Sequence, residues 1–339
     1  MRGIAERAGV SVATVSRVLN GKPDVSSETR ERVLSLVPEL TDDKIERVNR
    51  DATTLRIGFV NDYRAYQIGS HYVGELLSGV QLRAASEGYS VTLLDRDVIE
   101  RETRWPDKHT ALRNYAGLVW SMPVFDERHS GLIEERGLPA VVINNLKQGS
   151  HAPFVESDNL SATRQAVEYL VGLGHTRIGF IGGSKSVANF SDRLRGYYQH
   201  MKEFGLDPEP DWVIDEIPLA DIAGAIEATH RLVGRRNMPT ALITASETIT
   251  VGVYEVFAMR GVRIPDDVSV VGFDDTLLSA HMTPKLTTVR QHVSEMGSAA
   301  VDLLIRLIHH PEHIDEHPHI LKPMTLIVRD SVREISTEP

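Results

Sequence analysis

The chain contains no cysteine. That excludes disulfides, thiolate metal sites and a cysteine nucleophile, and it fits a cytoplasmic location. No apolar run approaches the ~18 residues that a membrane-crossing helix needs, so no membrane contact is expected. The first residues, Met1-Arg2-Gly3-Ile4-Ala5-Glu6-Arg7, lack the apolar stretch of a secretory signal. No nucleophile–base pair and no metal set stands out, so catalysis, a metal and a cofactor are not expected. An excess of positive charge is also missing. Lys and Arg number 37 against 47 Asp and Glu, for a net charge of −10, which at first disfavours a nucleic-acid partner.

The distribution of charge changes that reading. Residues 1–37 carry six basic side chains (Arg2, Arg7, Arg17, Lys22, Arg30, Arg32) and four acidic ones, so this head is +2 and the remainder is −12. Phosphate would repel the acidic remainder, so any DNA contact falls to the head. The 339 residues exceed one compact core and suffice for two or three domains.

Three short helices fit the head. Ile4, Ala5 and Ala8 share an apolar face, and Gly9 stops that helix. Ser11 offers an N-cap to a second helix with Val15, Val18 and Leu19 at i, i+3, i+4. Asn20-Gly21-Lys22-Pro23-Asp24 reads as a loop. Ser26 can cap a third helix bearing Val33, Leu34 and Val37. Two helices joined by a tight glycine turn can set the second into a major groove, although helical hairpins are also common without DNA. Residues 38–54 are polar and read as a linker.

From Leu55 strands alternate with amphipathic helices. Candidate strands are Arg56–Val60, Ser90–Leu94, Gly117–Trp120, Ala140–Ile143, Arg177–Ile181, Ala241–Thr244 and Val268–Gly272. Ala162, Ala166, Val167 and Leu170 mark one helix that stops at Gly172 or Gly174. Met296, Ala300, Leu303, Leu304 and Leu307 mark another that stops before Pro311. The alternation implies parallel sheets with crossover helices. Roughly 280 residues is more than one sheet requires, so two α/β lobes are expected.

The string Ala8-Gly9-Val10-Ser11-Val12-Ala13-Thr14-Val15-Ser16-Arg17-Val18-Leu19-Asn20-Gly21 resembles the head of the LacI/GalR family of bacterial repressors, and Val25-Ser26-Ser27-Glu28-Thr29-Arg30-Glu31-Arg32-Val33 resembles its third helix. The likeness continues through Leu55-Arg56-Ile57-Gly58-Phe59-Val60, through Asp158-Asn159 and Leu173-Gly174-His175-Thr176-Arg177-Ile178-Gly179-Phe180-Ile181-Gly182-Gly183, and through Ile264-Pro265-Asp266-Asp267-Val268-Ser269-Val270-Val271-Gly272-Phe273-Asp274-Asp275. It covers nearly the whole chain in the right order. The resemblance implies an all-α helix-turn-helix head (1–37), a linker or atypical hinge (38–54), and an α/β two-lobed, type I periplasmic-binding-protein-like body with parallel sheets (55–335). Its near lobe would be 55–157 with 289–322, and its far lobe 158–288 with 323–335. The partners implied are a near-palindromic double-stranded operator, a sugar-like or other small effector held between the lobes, and a second copy in a homodimer.

The resemblance also implies site residues. Val12 and Ala13 match the variable base-reading pair and Arg17 a base-contacting arginine, consistent with the preference of arginine for guanine edges. Thr14, Ser16, Asn20, Ser26 and Arg30 match positions that touch phosphate, where capping and solvent exposure are the plain alternative. In the body, Arg193 and Asp274 match effector-binding residues, and such a pair can donate to and accept from hydroxyls. An ordinary salt bridge is the alternative. Phe273, Ser246 and Tyr72 complete the expected effector site.

Departures from the family pattern are informative. Ser246-Glu247 stands where Asn-Asp is usual, Asn144-Asn145 replaces an acidic-basic pair, and Tyr63 to Tyr72 replaces an Asn-Pro-Phe-Phe stretch, so a common hexose or pentose effector is not implied. The linker Thr41-Asp42-Asp43-Lys44-Ile45-Glu46-Arg47-Val48-Asn49-Arg50 lacks the family's Pro-Asn turn and is about two residues shorter. Gly182-Gly183 lacks the spacing of a nucleotide-binding loop. The histidines His309, His310, His313, His317 and His319 read as a solvated loop. The tail has no heptad pattern, which argues against a tetramerising coiled coil. Two other classes stay open: a solute-binding protein without DNA function, and an enzyme.

Overall fold

The computed structural model describes residues 5, 8–19, 25–35, 55–62, 71–104, 111–121, 125–144, 152–185, 187–217, 221–234, 237–310 and 318–335. The chain divides into two compact units, Met1–Leu55 and Arg56–Pro339.

In the first unit Gly9 takes φ +65°, a left-handed conformation that suits glycine, and Val10 N–H closes the turn onto Ala5 C=O at 3.0 Å. Helix α1 (Val12–Leu19) follows at once. Its cap is Ser11, whose Oγ accepts from Thr14 N–H at 3.0 Å. Helix α2 (Ser27–Ser35) is capped in the same way, Ser26 Oγ accepting from Thr29 N–H at 3.3 Å. The caps satisfy backbone donors that have no partner inside a helix. Ala5, Ala8, Val15, Val18 and Val33 form the core, the alanines letting the helices approach closely. The loop at Asn20–Asp24, the side chain of Leu34, Val37 and the whole 38–54 linker lie outside the described residues.

The second unit is built on two six-stranded sheets. The first lobe contains β1 (Arg56–Asn61), β2 (Ser90–Asp95), β3 (Gly117–Ser121), β4 (Ala140–Ile143), β5 (Phe154–Ser157) and β11 (His319–Lys322) in the order β11-β5-β4-β3-β1-β2, every neighbouring pair parallel. The second contains β6 (Ile178–Ile181), β7 (Val213–Ile214), β8 (Ala241–Thr244), β9 (Ser269–Asp274), β10 (Thr287–Arg290) and β12 (Thr325–Ile327) in the order β12-β10-β9-β8-β6-β7. Its pairs are parallel except β10 with β12.

Helices α3 (His71–Ser86), α4 (Arg96–Arg104), α5 (Glu127–Arg136) and α10 (Val293–His309) belong with the first sheet. Helices α6 (Asn159–Gly172), α7 (Ala188–Glu203), α8 (Ile222–Val233) and α9 (Glu247–Arg260) belong with the second. Strands covered on both faces read as continuous apolar runs, as β3, β4, β6 and β8 do, each buried along its length. Separate apolar cores form on the two faces of the first sheet, and one large core fills the second lobe.

The chain passes between the lobes three times: from β5 to α6 at Ser157–Asn159, from β10 to α10 at Arg290–Val293, and from β11 to β12 at Lys322–Thr325. The seven strands expected from sequence are all present. β5, β7, β10 and β11 were not expected as strands: Glu156, Thr287, Arg290 and Lys322 break the apolar pattern of three of them, and β7 is only two residues long. Gly183 is explained by packing, since a Cβ there would lie 2.4 Å from the Phe190 ring. No described helix is long and apolar enough to cross a membrane. Among the described residues no three His, Cys, Asp or Glu side chains are grouped to hold a metal; His319 stacks on Phe154, ring centroids 3.8 Å apart, and His313 and His317 lie outside the described residues.

Candidate functional site

On α1 the inward side chains Val15 and Val18 are buried, while Val12, Ala13 and Arg17 are exposed and Thr14 and Ser16 half-buried. The helix has no acidic residue in its first turn, so the positive end of its dipole is not neutralised there. Val12, 42% exposed, is an apolar side chain held out by the capped helix start. Thr14 Oγ1 is 2.8 Å from Ser11 Oγ, and Ser26 Oγ donates to Thr29 Oγ1 at 2.8 Å. Both hydroxyls therefore already serve the caps. Arg30 is half-buried on α2, and Asn20 lies outside the described residues.

In the body, the carboxyl ends of β1, β3, β4 and β5 in one lobe and of β6, β8 and β9 in the other carry the polar residues of the cleft. Open α/β sheets bind ligands at such ends. Arg193 comes from α7 and is only 1% exposed. Its Nε donates to Asn159 Oδ1 at 2.8 Å. One terminal nitrogen donates to Ala245 C=O at 2.5 Å and to Asp274 Oδ1 at 3.3 Å. The other, Nη2, is buried and has no hydrogen-bond partner. An unsatisfied buried donor of this kind costs free energy and calls for an acceptor. Burial presses the guanidinium pKa down, and the Asp274 carboxylate opposes that.

Asp274 ends β9 with φ +92°, Asp275 follows at +54°, and Asn144 after β4 stands at +64°. Non-glycine residues in this region store strain, which collects at functional sites. Asp274 Oδ1 also accepts from Gln291 Nε2 at 2.6 Å, and Oδ2 accepts from Glu247 N–H at 3.3 Å. Tyr72, from the first lobe, receives a hydrogen bond from Asn144 Nδ2 at 2.5 Å. Burial, then the charge of Asp274, push its phenol pKa upward.

The remaining expected residues have supporting positions. Phe273 is fully buried and lies beneath the Arg193 guanidinium, 4.3 Å from carbon to ring centroid. Ser246 Oγ caps α9 by accepting from Ile249 N–H at 3.3 Å. Its neighbour Glu247 is buried, its carboxylate accepting from the hydroxyls of Thr276 and Ser279. Sequence reasoning missed Gln291, Ser157 and Asn189. Gln291 and Ser157 sit on lobe crossings, and Asn189 bonds Asn159 Nδ2 at 3.2 Å. For Gln291 and Ser157 the signal would have been a polar residue at the end of a strand. Beside the second crossing a groove of about 490 Å³ opens, bounded by His71 and Glu75 from the first lobe and Asp275 and Thr276 from the second. It reaches Gln291 but not Arg193.

Comparison with known proteins decides the family. Residues 1–41 match the bacterial regulatory proteins of the lacI family, and residues 167–332 match the periplasmic binding protein-like domain. The chain belongs to the LacI family. Its relatives include the transcriptional repressor PurR of Vibrio vulnificus, 27% identical over 99% of both chains, and the ribose operon repressor of Haemophilus influenzae, 28% identical over 98% of both. Among solved structures, the Lac repressor dimer bound to operator and the anti-inducer ONPF matches with TM-score 0.72 at 27% identity, covering 97% of this chain and 98% of that one. The transcriptional regulator CelR in complex with cellobiose matches with TM-score 0.72 at 25% identity over the same shares. This LacI-family chain is a DNA-binding transcriptional regulator whose body takes a small-molecule effector.

Proposed function

We propose that the chain is a dimeric, cytoplasmic repressor that acts by binding rather than by catalysis, and that its effector carries several hydroxyl or carbonyl oxygens. The buried, unpartnered Nη2 of Arg193 beside the Asp274 carboxylate supports this reading. That arrangement offers one donor and one acceptor to the same ligand, which suits a polyol or sugar-like molecule. Asn144 stands where relatives carry charge, so the first lobe meets the ligand with an amide and the Tyr72 phenol. The 1–37 head contacts a near-palindromic operator through Val12, Ala13 and Arg17, with Thr14, Ser16, Asn20, Ser26 and Arg30 placed towards phosphate. Pairing of two heads raises affinity that one small head lacks. Residues 55–157 with 289–322, and 158–288 with 323–335, act as the two jaws.

Two experiments test this. Gel shifts with genomic fragments should give a discrete, competitor-resistant complex; salt-sensitive smearing on every fragment would overturn operator recognition. A thermal-shift screen of sugars, sugar phosphates, polyols and nucleobases should find a ligand. Near 100 times its Kd, that ligand stabilises the fold by ~2.7 kcal/mol, or roughly 5–10 °C. A hit confined to nucleobases would overturn the polyol class.

A further inference from the structure

Asp274 in the second lobe and Tyr72 in the first are the ends of a run of hydrogen bonds through two of the three lobe crossings. Gln291, on the β10–α10 crossing, donates from Nε2 to Asp274 Oδ1 at 2.6 Å. Its Oε1 accepts from Ser157 Oγ at 3.0 Å. Ser157, on the β5–α6 crossing, donates its backbone N–H to Asn144 Oδ1 at 3.3 Å. Asn144 Nδ2 then donates to the Tyr72 hydroxyl at 2.5 Å. Ser157, Gln291 and Asn144 are all buried, so water does not compete for these bonds.

We propose that Gln291 and Ser157 are positioning residues that carry the state of Asp274 in the second lobe to Asn144 and Tyr72 in the first. The proposal rests on the cleft being the effector site.

The donors and acceptors are arranged so that the links cannot change independently. A carboxylate offers about four acceptor directions. Asp274 commits Oδ1 to Gln291 and Arg193 and turns Oδ2 only towards the Glu247 amide. One acceptor direction, on Oδ2, is left for a ligand hydroxyl, and a bond formed there pulls on the same carboxylate that Gln291 holds through Oδ1. Gln291 cannot swing away alone, because its other end holds Ser157. Ser157 has a single hydroxyl proton and two acceptors in reach, Gln291 Oε1 at 3.0 Å and the Met296 sulfur at 3.1 Å. The amide oxygen is the stronger of the two, so loss of Gln291 leaves the hydroxyl a poor substitute. At Ser157 the hand-over becomes mechanical, from side chain to backbone, and the strained Asn144 receives it.

The surroundings are stiff enough to pass on a small shift. Helix α10 begins two residues after Gln291, and α3 carries Tyr72. The two helices touch backbone to backbone: a Cβ on Gly79 would lie 1.9 Å from Ser294 C=O, and one on Gly297 would lie 2.5 Å from Leu76 C=O. Packed elements of this kind shift as units rather than deform locally. The competing account is direct attraction or repulsion across the cleft between Asp274 and Tyr72, with the crossings as passive struts.

A double-mutant cycle separates the two accounts without any effector. Tyr72→Phe and Asp274→Asn are introduced singly and together in the full-length chain, once with Ser157 and once with Ser157→Ala, and unfolding in urea is followed by tryptophan fluorescence. With Ser157 the two substitutions should be non-additive by about threefold or more in the unfolding equilibrium constant, and with Ser157→Ala they should become additive. Equal coupling in both backgrounds overturns the proposal in favour of the direct field, and additivity in both overturns it outright. Amide exchange gives a second reading that needs no stable Asp274 variant. In Gln291→Met the peptide containing Ser157 N–H should exchange several-fold faster while Ile178–Ile181 keeps its rate; no change, or a uniform rise across both lobes, overturns the proposal. Failure of the effector reading would appear separately, as the absence of any hit in the ligand screen.

Discussion

The guanidinium of Arg193 lies over the ring of Phe273, its central carbon 4.3 Å from the ring centroid, while its edge bonds Asn159, Ala245 and Asp274. The face of the cation is stabilised by the ring quadrupole and its edge by oxygen acceptors. A lysine offers neither a flat face nor a fork. Arg193→Lys should therefore abolish the effector-induced thermal shift and lower stability by about 1–3 kcal/mol, while operator binding by gel shift persists. An undiminished effector shift would remove Arg193 from the site.

Asp274→Ala should abolish the effector response and leave operator binding intact. Asp274 sits at the carboxyl end of β9, and alanine removes the acceptor without adding bulk. Calorimetry with the effector found by screening decides it, and unchanged affinity would show that Asp274 serves only as the counter-ion of Arg193.

Arg17→Ala should weaken operator binding by ~1–3 kcal/mol and relax preference at one base pair per half-site. Arg17 is exposed on the same helix that turns Val15 and Val18 inward. Full affinity with full sequence preference would make Arg17 a phosphate or structural residue.

Glu156, on β5, gives a pH prediction. Burial first, then the nearby Asp192, push its carboxyl pKa up to about 7; Asp158 adds to this and Arg195 opposes it. His319 Nε2 lies 3.5 Å from Glu156 Oε2. An acid raised in the folded state favours folding fully below its unfolded value near 4.5, and that contribution is lost as pH rises towards 7. Glu156→Gln should leave stability almost unchanged at pH 4.5 and raise it by about 1–3 kcal/mol at pH 8. Parallel stability–pH curves for the two proteins would refute the shift.

The sequence carried the head and the apolar frame well because both follow simple periodicities. Ser11, Ser26 and Gly9 are local signals, and β3, β4, β6 and β8 are uninterrupted apolar runs. The crossings were harder. β5 and β10 end in Ser157 and Arg290, where the chain leaves one lobe for the other, and polar residues there look like loop. Arg193 and Asp274 were singled out through the resemblance. Gln291 and Ser157 were not, since a lone Gln or Ser has many ordinary uses and only the fold brings them together. Ser246 was singled out by its place in the pattern, and the fold gives its hydroxyl a second use as the cap of α9, accepting from Ile249 N–H with its own proton left to donate.

The linker supplies the last prediction, which rests on sequence because residues 38–54 lie outside the described residues. In the family a Pro-Asn turn leads into a short hinge helix that enters the minor groove at the operator centre, where a leucine wedges the central step. Here Thr41-Asp42-Asp43-Lys44-Ile45-Glu46-Arg47-Val48 replaces it. Asp42, Asp43 and Glu46 would meet phosphates of like charge. Ile45 and Val48 would share a helix face at i, i+3, but both are β-branched and short for a wedge. Unstacking a base step costs a few kcal/mol, and these side chains would offset little of it. Operator affinity should therefore vary little across central dinucleotides, and the DNA should bend less than in complexes with relatives that have the leucine. Binding to operators carrying each central step, together with the mobility of circularly permuted fragments, measures both. A sharp central preference accompanied by a strong kink would mean that Ile45 or Val48 does enter the step and that the acidic residues are turned away from the backbone.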